Sequence, residues 1–377
     1  MIVRALNSEG SFMLLTQPRP CSLVAGSVRC LQIPIHVPFA ISRETLHDAQ
    51  IVLIELRDAH GLKGLGECAP FPSLTGDTKA VAASMALQLV EEIRGLTVVQ
   101  AMQRLRAMKA EVTKQSITAY VGLEGALWDL YARQQGVSLA QLWGRADREY
   151  LDTDITLPLM KPTDVAGFWD LYGPHAFPII KVKVSGRVDD DLALIHALRD
   201  LIPDRVRLSL DGNQGFTVDQ ALKLVGRLAA SGCQPLFFEQ PLPADDTLGQ
   251  IRLQAQSPIP LCADETVKTK EDAQRVIDQK MAGMINIKIM KSGIEESLAI
   301  IDLASRAKLP LMIGGMLESE VAMGLSLQIA CSTGAIQHID LDTPFFFKQR
   351  VTTASPWHQT SARLRLPEGP GHGLTAI

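Results

Sequence analysis

From about Tyr150 onward, short apolar runs alternate with amphipathic stretches, a rhythm that restricts the chain to a parallel strand–helix array. The runs lie at 154–159, 179–184, 206–210, 236–239, 261–263, 284–289, 309–313 and 336–340. Helical periodicity falls between them, at 189–200, 218–230, 271–279, 294–308 and 318–331. This alternation predicts an α/β fold, a (β/α) barrel whose last helix is missing or altered. The alternative is an open doubly wound sheet, but its Gly-rich phosphate turn is absent.

Charges close consecutive runs. Asp211, Glu239 and Asp264 end three of them, Lys181 and Lys183 lie on the run before, and Lys288 lies on the run after. In a parallel barrel the strand C-termini converge on one face, so these residues are expected to share a pocket. A single acid at a strand end is most simply a helix cap or a surface ion pair. Three in register are better explained by a hard divalent cation, and oxygen-only ligation suits magnesium. Zinc is disfavoured because no histidine sits at these strand ends. Asn213 and Glu265 follow two of the acids. Lys181 and Lys183 alternate along one strand, so they share a face. Desolvation and a nearby cation are expected to depress one of these amine pKa values. Lys291 reads as a solvated loop residue.

The chain has 377 residues, 46% hydrophobic and 21% charged, which is ordinary for a soluble enzyme. A net charge of −4 gives no electrostatic reason to expect nucleic acid. The six cysteines show no CxxC spacing, which predicts reduced thiols and a cytoplasmic location. No apolar run near the N-terminus is long enough for a signal-peptide core or a membrane span. Residues 1–27 read as an extension and 28–148 as an α+β domain. In that domain the pattern from Val28 to about Asp58 is strand-like, its apolar run 51–56 following a Pro- and polar-rich loop, with helices expected at 80–93 and 119–135. The barrel is assigned to 149–343, and 344–377 to a segment packing back on the first domain, with Phe345, Phe346 and Phe347 buried between the two.

Together Lys181-Val-Lys183, Asp211-Gly-Asn213, Glu239-Gln-Pro, Asp264-Glu265, Ile287-Lys288 and Gly-Gly-Met-Leu-Glu at 314–318 resemble the enolase superfamily, in its muconate-lactonizing-enzyme subgroup. The resemblance spans about 28–350. It implies a modified TIM barrel, (β/α)7β, under an α+β capping domain. It further implies one magnesium ion per subunit on Asp211, Glu239 and Asp264, with Asn213 and Glu265 behind them. Lys183 and Lys288 are implied as opposed acid/base residues, with Lys181 as an electrostatic helper at the substrate carboxylate.

Asp340-Leu341-Asp342 at the last strand end is similar to the Asp-x-Asp signature of dipeptide epimerases. Two carboxylates at a barrel mouth suit a cation such as a dipeptide's N-terminal ammonium; an acidic loop that merely caps the barrel is the plainer alternative. Epimerisation at the α-carbon of the C-terminal residue is the expected reaction. Alternatives are o-succinylbenzoate synthase or muconate-type cycloisomerase chemistry with the same lysines, or a non-catalytic binding protein. By family analogy, loops near 38–48 and 70–78 contact the substrate side chain. Arg43 there suits an acidic side chain; Phe39, Phe71, Leu74 and Met316 suit an apolar one. The expected partner is a small dipeptide, with no membrane and a homo-oligomer possible.

Overall fold

The computed structural model describes residues 21–41, 44–144, 148–353 and 355–377. The first unit is an antiparallel sheet in the order β1 (Leu23–Ala40), β2 (Thr45–Asp58), β3 (Lys63–Cys68). The apolar run at 51–56 is the middle of β2, buried between its two neighbours. Two readings are corrected here. β1 begins at Leu23, inside the segment taken as an extension, and it runs through the stretch taken as a Pro- and polar-rich loop. Prolines are tolerated because β2 is the one strand that pairs with β1; on its other edge β1 meets an isolated bridge from Ile35 to Phe347, where Pro34 O accepts from Lys348 N at 2.8 Å. The register slips between Pro34 and Phe39.

Helices α1 (Pro72–Thr75), α2 (Lys79–Glu92), α3 (Val98–Gln115), α4 (Ile117–Gln135) and α5 (Leu139–Trp143) follow. The expected helices at 80–93 and 119–135 are α2 and α4. α3 was not anticipated, although Thr97 and Gln100 form a capping box at its start. α4 is buried from Thr118 to Ala132 because β3 lies almost on its backbone: a Cβ at Gly66 would stand 2.0 Å from Gly122 O.

Eight strands then form one parallel sheet: β5 (Ile155–Leu157), β6 (Ile179–Lys183), β7 (Arg207–Asp211), β8 (Phe238–Glu239), β9 (Leu261–Ala263), β10 (Met284–Ile287), β11 (Leu311–Ile313) and β12 (Ile336–Ile339). The short β4 (Tyr150–Asp152) stands outside it. The sheet curls until its ends meet, where Asp154 N donates to Ile339 O at 2.9 Å. The strand connections carry α6 (Val165–Tyr172), α7 (Val188–Leu201), α8 (Val218–Ala230), α9 (Thr247–Gln256), α10 (Lys270–Gln279), α11 (Ile289–Ser292), α12 (Ile294–Arg306) and α13 (Glu320–Thr333). After β12 the described residues form no α-helix, only 3-10 turns at Thr343–Phe346 and Pro356–His358 and the short β13 (Arg363–Arg365), in agreement with an altered last helix.

Buried glutamates join the capping unit to the barrel. Glu124 of α4 accepts from Ile294 N at 2.7 Å and Glu295 N at 3.2 Å, capping α12. Glu67 of β3 accepts from Ser319 N at 2.8 Å and Ala322 N at 3.3 Å, capping α13. At the end of the chain, β13 (Arg363–Arg365) pairs with β4, and buried His372 lies 3.2 Å from Leu65 O of β3. Phe346 is enclosed by Phe39 of β1 and Tyr172 of α6, with ring centroids at 5.6 and 5.2 Å.

Burial pushes the Glu67 carboxyl up to about 8. A raised folded-state value means that the protonated form is the one the fold favours. The stabilising contribution is therefore complete below pH 4.5 and is lost as pH rises toward 8. Thermal melts of Glu67→Gln should gain on wild type between pH 5 and pH 8. A difference in melting temperature that does not change with pH would remove this assignment.

Candidate active site

The parallel register places the charged row at one level. Lys183 pairs with Asp211 across β6 and β7, and Asp211 pairs with Glu239 across β7 and β8. Asp264 follows β9 by one residue and Lys288 follows β10. All are at least 95% buried, so each charge needs a partner. Lys183 Nζ lies 2.5 Å from Asp211 Oδ2 and donates to Asn213 Oδ1 at 2.8 Å. Lys288 Nζ lies 2.6 Å from Asp264 Oδ2 and 3.8 Å from Glu239 Oε1. Lys181 is paired with Asp340 and stands 3.6 Å from Glu239 Oε2. Glu239 is thus central, with lysines from opposite sides of the curled sheet on either flank.

Backbone strain shapes this rim. Asn213 and Gln240, just past two of the acids, adopt positive φ of 40° and 30° without being glycine. Gln240 is held there by its own side chain. Its Oε1 accepts from Asp264 N at 2.9 Å and Thr266 N at 3.1 Å, while its Nε2 donates to Thr266 Oγ1 at 2.8 Å. The loop bearing Asp264 is therefore fastened to the loop after Glu239. Asn286 Nδ2 donates to Glu239 Oε1 at 2.7 Å, which fixes the central carboxylate.

One expectation changes. Lys291 is not solvated: it is 6% exposed, and its Nζ meets Asp264 O at 2.5 Å, Asp264 Oδ1 at 2.6 Å and Asn286 O at 3.0 Å. One helical turn after Lys288 brings it back under the barrel rim, where free carbonyls and a carboxylate satisfy all three N–H groups. Opposed effects act on the amines of Lys181 and Lys288. Burial pulls each down, but Asp340 at Lys181 and Asp264 at Lys288, with Glu239 at both, outweigh it and hold the ammonium form. Asp340 and Asp342 stand past the last strand of the sheet. β12 ends at Ile339, and Asp342 is helical (φ −96°, ψ −18°) at the start of the 3-10 turn.

Asp340 and Asp342 nevertheless face one pocket with Lys181, Lys183, Lys288, Asn213, Thr156 and Met316, under a roof of Phe39, Ile41, Phe71 and Leu74. The Lys183 ammonium stands 5.9 Å from the Phe39 ring centroid. Arg43 lies outside the described residues. Glu265 carries two buried carboxylate oxygens without a hydrogen-bond partner, and burial with the Asp264 charge pushes it up to about 7. Glu318 is also wholly buried, held by Met316 N on one oxygen, and burial pushes it up to about 7. Sequence reasoning gave no role to Asn286 and Asp154, and it quoted Gln240 in the Glu239-Gln-Pro motif without one. Only Asn286 and Gln240 carried a signal, a polar side chain within or just beyond an apolar strand.

Whether these residues suit a divalent cation is decided by donor chemistry. Asp211, Glu239 and Asp264 offer oxygen donors alone, and Glu239 Oε2 is buried with no hydrogen bond accepted, so the set fits magnesium. Among the described residues, the carboxylates whose ligand atoms all lie within 4.8 Å of one another are a different trio, Asp154, Asp340 and Asp342. Here Lys181 already pairs with Asp340, which makes that trio a poor metal cage and a good ammonium neighbour.

No helix among the described residues is long and apolar enough to cross a membrane. Residues 25–144 match the mandelate racemase / muconate lactonizing enzyme N-terminal domain, and 165–376 match the enolase C-terminal domain-like family. The chain is 34% identical over 356 residues to an aromatic dipeptide epimerase of Herpetosiphon aurantiacus, covering 94% of this chain and 99% of that protein. A substrate-liganded L-Ala-D/L-Glu epimerase from Bacillus subtilis superposes with a TM-score of 0.89 at 27% identity, covering 94% of this chain and 99% of that one. A dipeptide epimerase from Enterococcus faecalis V583, complexed with Mg and L-Leu-L-Tyr, gives 0.86 at 27% identity with the same coverage. Two family matches that together take in most of the chain, laid over a curled parallel sheet with carboxylates and lysines at its strand ends, make this chain a member of the mandelate racemase and muconate lactonizing enzyme family of the enolase superfamily, an isomerase of the epimerase kind.

Proposed function

We propose that the protein is a dipeptide epimerase that inverts the α-carbon of the C-terminal residue, using Lys183 and Lys288 as proton carriers. The observation that carries the reading is their placement: two buried lysines from β6 and from the end of β10, on either side of Glu239, facing one closed pocket. A substrate carboxylate directed toward Asp211, Glu239 and Asp264 leaves its α-carbon between the two amines. Asp211, Glu239 and Asp264 would hold magnesium, which would supply positive charge at the substrate carboxylate. Lys183 and Lys288 then divide the work, one amine removing the proton and the opposite ammonium returning one to the other face. Lys181, on the same face of β6 as Lys183, adds positive charge at the carboxylate end. Asp340 and Asp342 receive the N-terminal ammonium.

An ammonium subsite separates this reading from o-succinylbenzoate or cycloisomerase chemistry, which has no use for a cation-binding Asp pair. Asp342→Asn should raise KM for dipeptides; turnover of o-succinylbenzoate precursors by an enzyme inert to dipeptides would replace the reading.

The roof predicts side-chain preference. Phe39, Ile41, Phe71, Leu74 and Met316 are apolar, and the cations among the described lining residues are the three lysines engaged at the reacting end. An acidic substrate side chain would be desolvated there without a partner. The name of the Herpetosiphon relative, an aromatic dipeptide epimerase, agrees with this preference. L-Ala-L-Phe is expected to exceed L-Ala-L-Glu in kcat/KM by at least about tenfold, on the order of 1.4 kcal/mol. Kinetics followed by polarimetry check it; equal values would assign Arg43 the specificity role instead.

A further inference from the structure

Asp154 precedes β5 and alternates along it with Thr156, and it is 3% exposed. Its carboxylate, with those of Asp340 and Asp342, forms the trio whose ligand oxygens lie within 4.8 Å of one another. Three points so spaced share a centre no more than about 2.8 Å from each, the length of an ammonium-to-carboxylate hydrogen bond. Asp342 Oδ2 accepts from Thr156 N at 2.6 Å, and Asp340 is paired with Lys181. Asp154 Oδ1 is buried and accepts nothing.

The surrounding charges do not balance. Lys181 of β6 is the cation that faces the trio. Tyr172 of α6 faces Asp342, Glu318 ahead of α13 faces Asp340, and Glu239 of β8 already draws on Lys181. Full ionisation would leave three buried carboxylates beside one ammonium, so at least one proton must stay. Burial, then the Asp340 charge, push Asp154 well above the carboxylate range, whereas Asp342 is pushed up only to about 6.

We propose that Asp154 is the third carboxyl of the cation subsite, protonated in the free enzyme and ionised when the primary ammonium of a dipeptide enters. This rests on the dipeptide reading above. On binding, the Asp154 O–H bond breaks, its electron pair stays on the carboxylate and the proton passes to solvent. The three ammonium N–H groups then face three carboxylates. A tripod of this kind selects a primary amine over an N-acylated one.

Isothermal titration at pH 7 with a pre-equilibrated mixture of L-Ala-L-Phe and L-Ala-D-Phe, on the magnesium-loaded enzyme, tests this without net turnover. Repeating it in two buffers of different protonation enthalpy counts the protons. Wild type is expected to release close to one proton per dipeptide; a count near zero overturns the assignment, whatever the variants do. Asp154→Asn should abolish the release and raise KM at least tenfold with kcat within about threefold of wild type. A variant that folds and releases as many protons as wild type overturns it too. If no dipeptide exchanges its α-proton, both this inference and the dipeptide reading fall; exchange without proton release removes Asp154 alone.

Discussion

Replacing either Lys183 or Lys288 by alanine is expected to lower dipeptide epimerisation by at least about 10³-fold, near 4 kcal/mol of barrier. The two losses should not add, because inversion needs a base on one face and an acid on the other. Each alanine also leaves a carboxylate short of a partner. Asp211 loses the ammonium at 2.5 Å and Asp264 the one at 2.6 Å, although Lys291 still holds Asp264. Circular dichroism and a thermal melt should accompany the kinetics, and Lys183→Arg and Lys288→Arg keep the charge for comparison. A folded alanine variant that epimerises at more than a tenth of the wild-type rate would end the two-lysine mechanism.

The second large effect concerns Glu239. It carries a buried oxygen that accepts no hydrogen bond, and it lies between Asp211 and Asp264 in the sheet order. Glu239→Gln removes one anionic donor while keeping shape and the bond from Asn286. Calorimetry with magnesium chloride alone should show binding weakened at least about a hundredfold, and turnover should fall in step even at saturating dipeptide. Magnesium binding unchanged in a folded Glu239→Gln would remove Glu239 from the ligand set.

The barrel was legible because period and punctuation agreed. A parallel sheet buried on both faces demands continuous apolar runs, and each of the eight expected runs overlaps a strand of the sheet. Charges stood out against that background: an Asp or Lys at the end of an apolar run has a burial cost that only a partner or a function offsets. The capping unit was less legible. The strand-like stretch from Val28 was legible, but the later part of β1 reads as a loop because Pro34 and Pro38 interrupt it, and nothing local shows that its partner β2 supplies the ladder. Lys291 was misread for a related reason. Its surroundings are backbone carbonyls of Asp264 and Asn286, groups that carry no side-chain signature. Asp154 escaped notice because its meaning depends on residues 340 and 342, brought beside it only when the sheet curls closed.

Solvent exchange in D2O, followed by proton NMR at the α-carbon of the C-terminal residue, addresses the two-base account most directly. Wild type should wash deuterium into both L-Ala-L-Phe and L-Ala-D-Phe. Lys183→Ala and Lys288→Ala should each exchange only one diastereomer, a different one for each variant, and epimerise neither. Exchange of both diastereomers by either single variant, or of neither by wild type, would contradict the account.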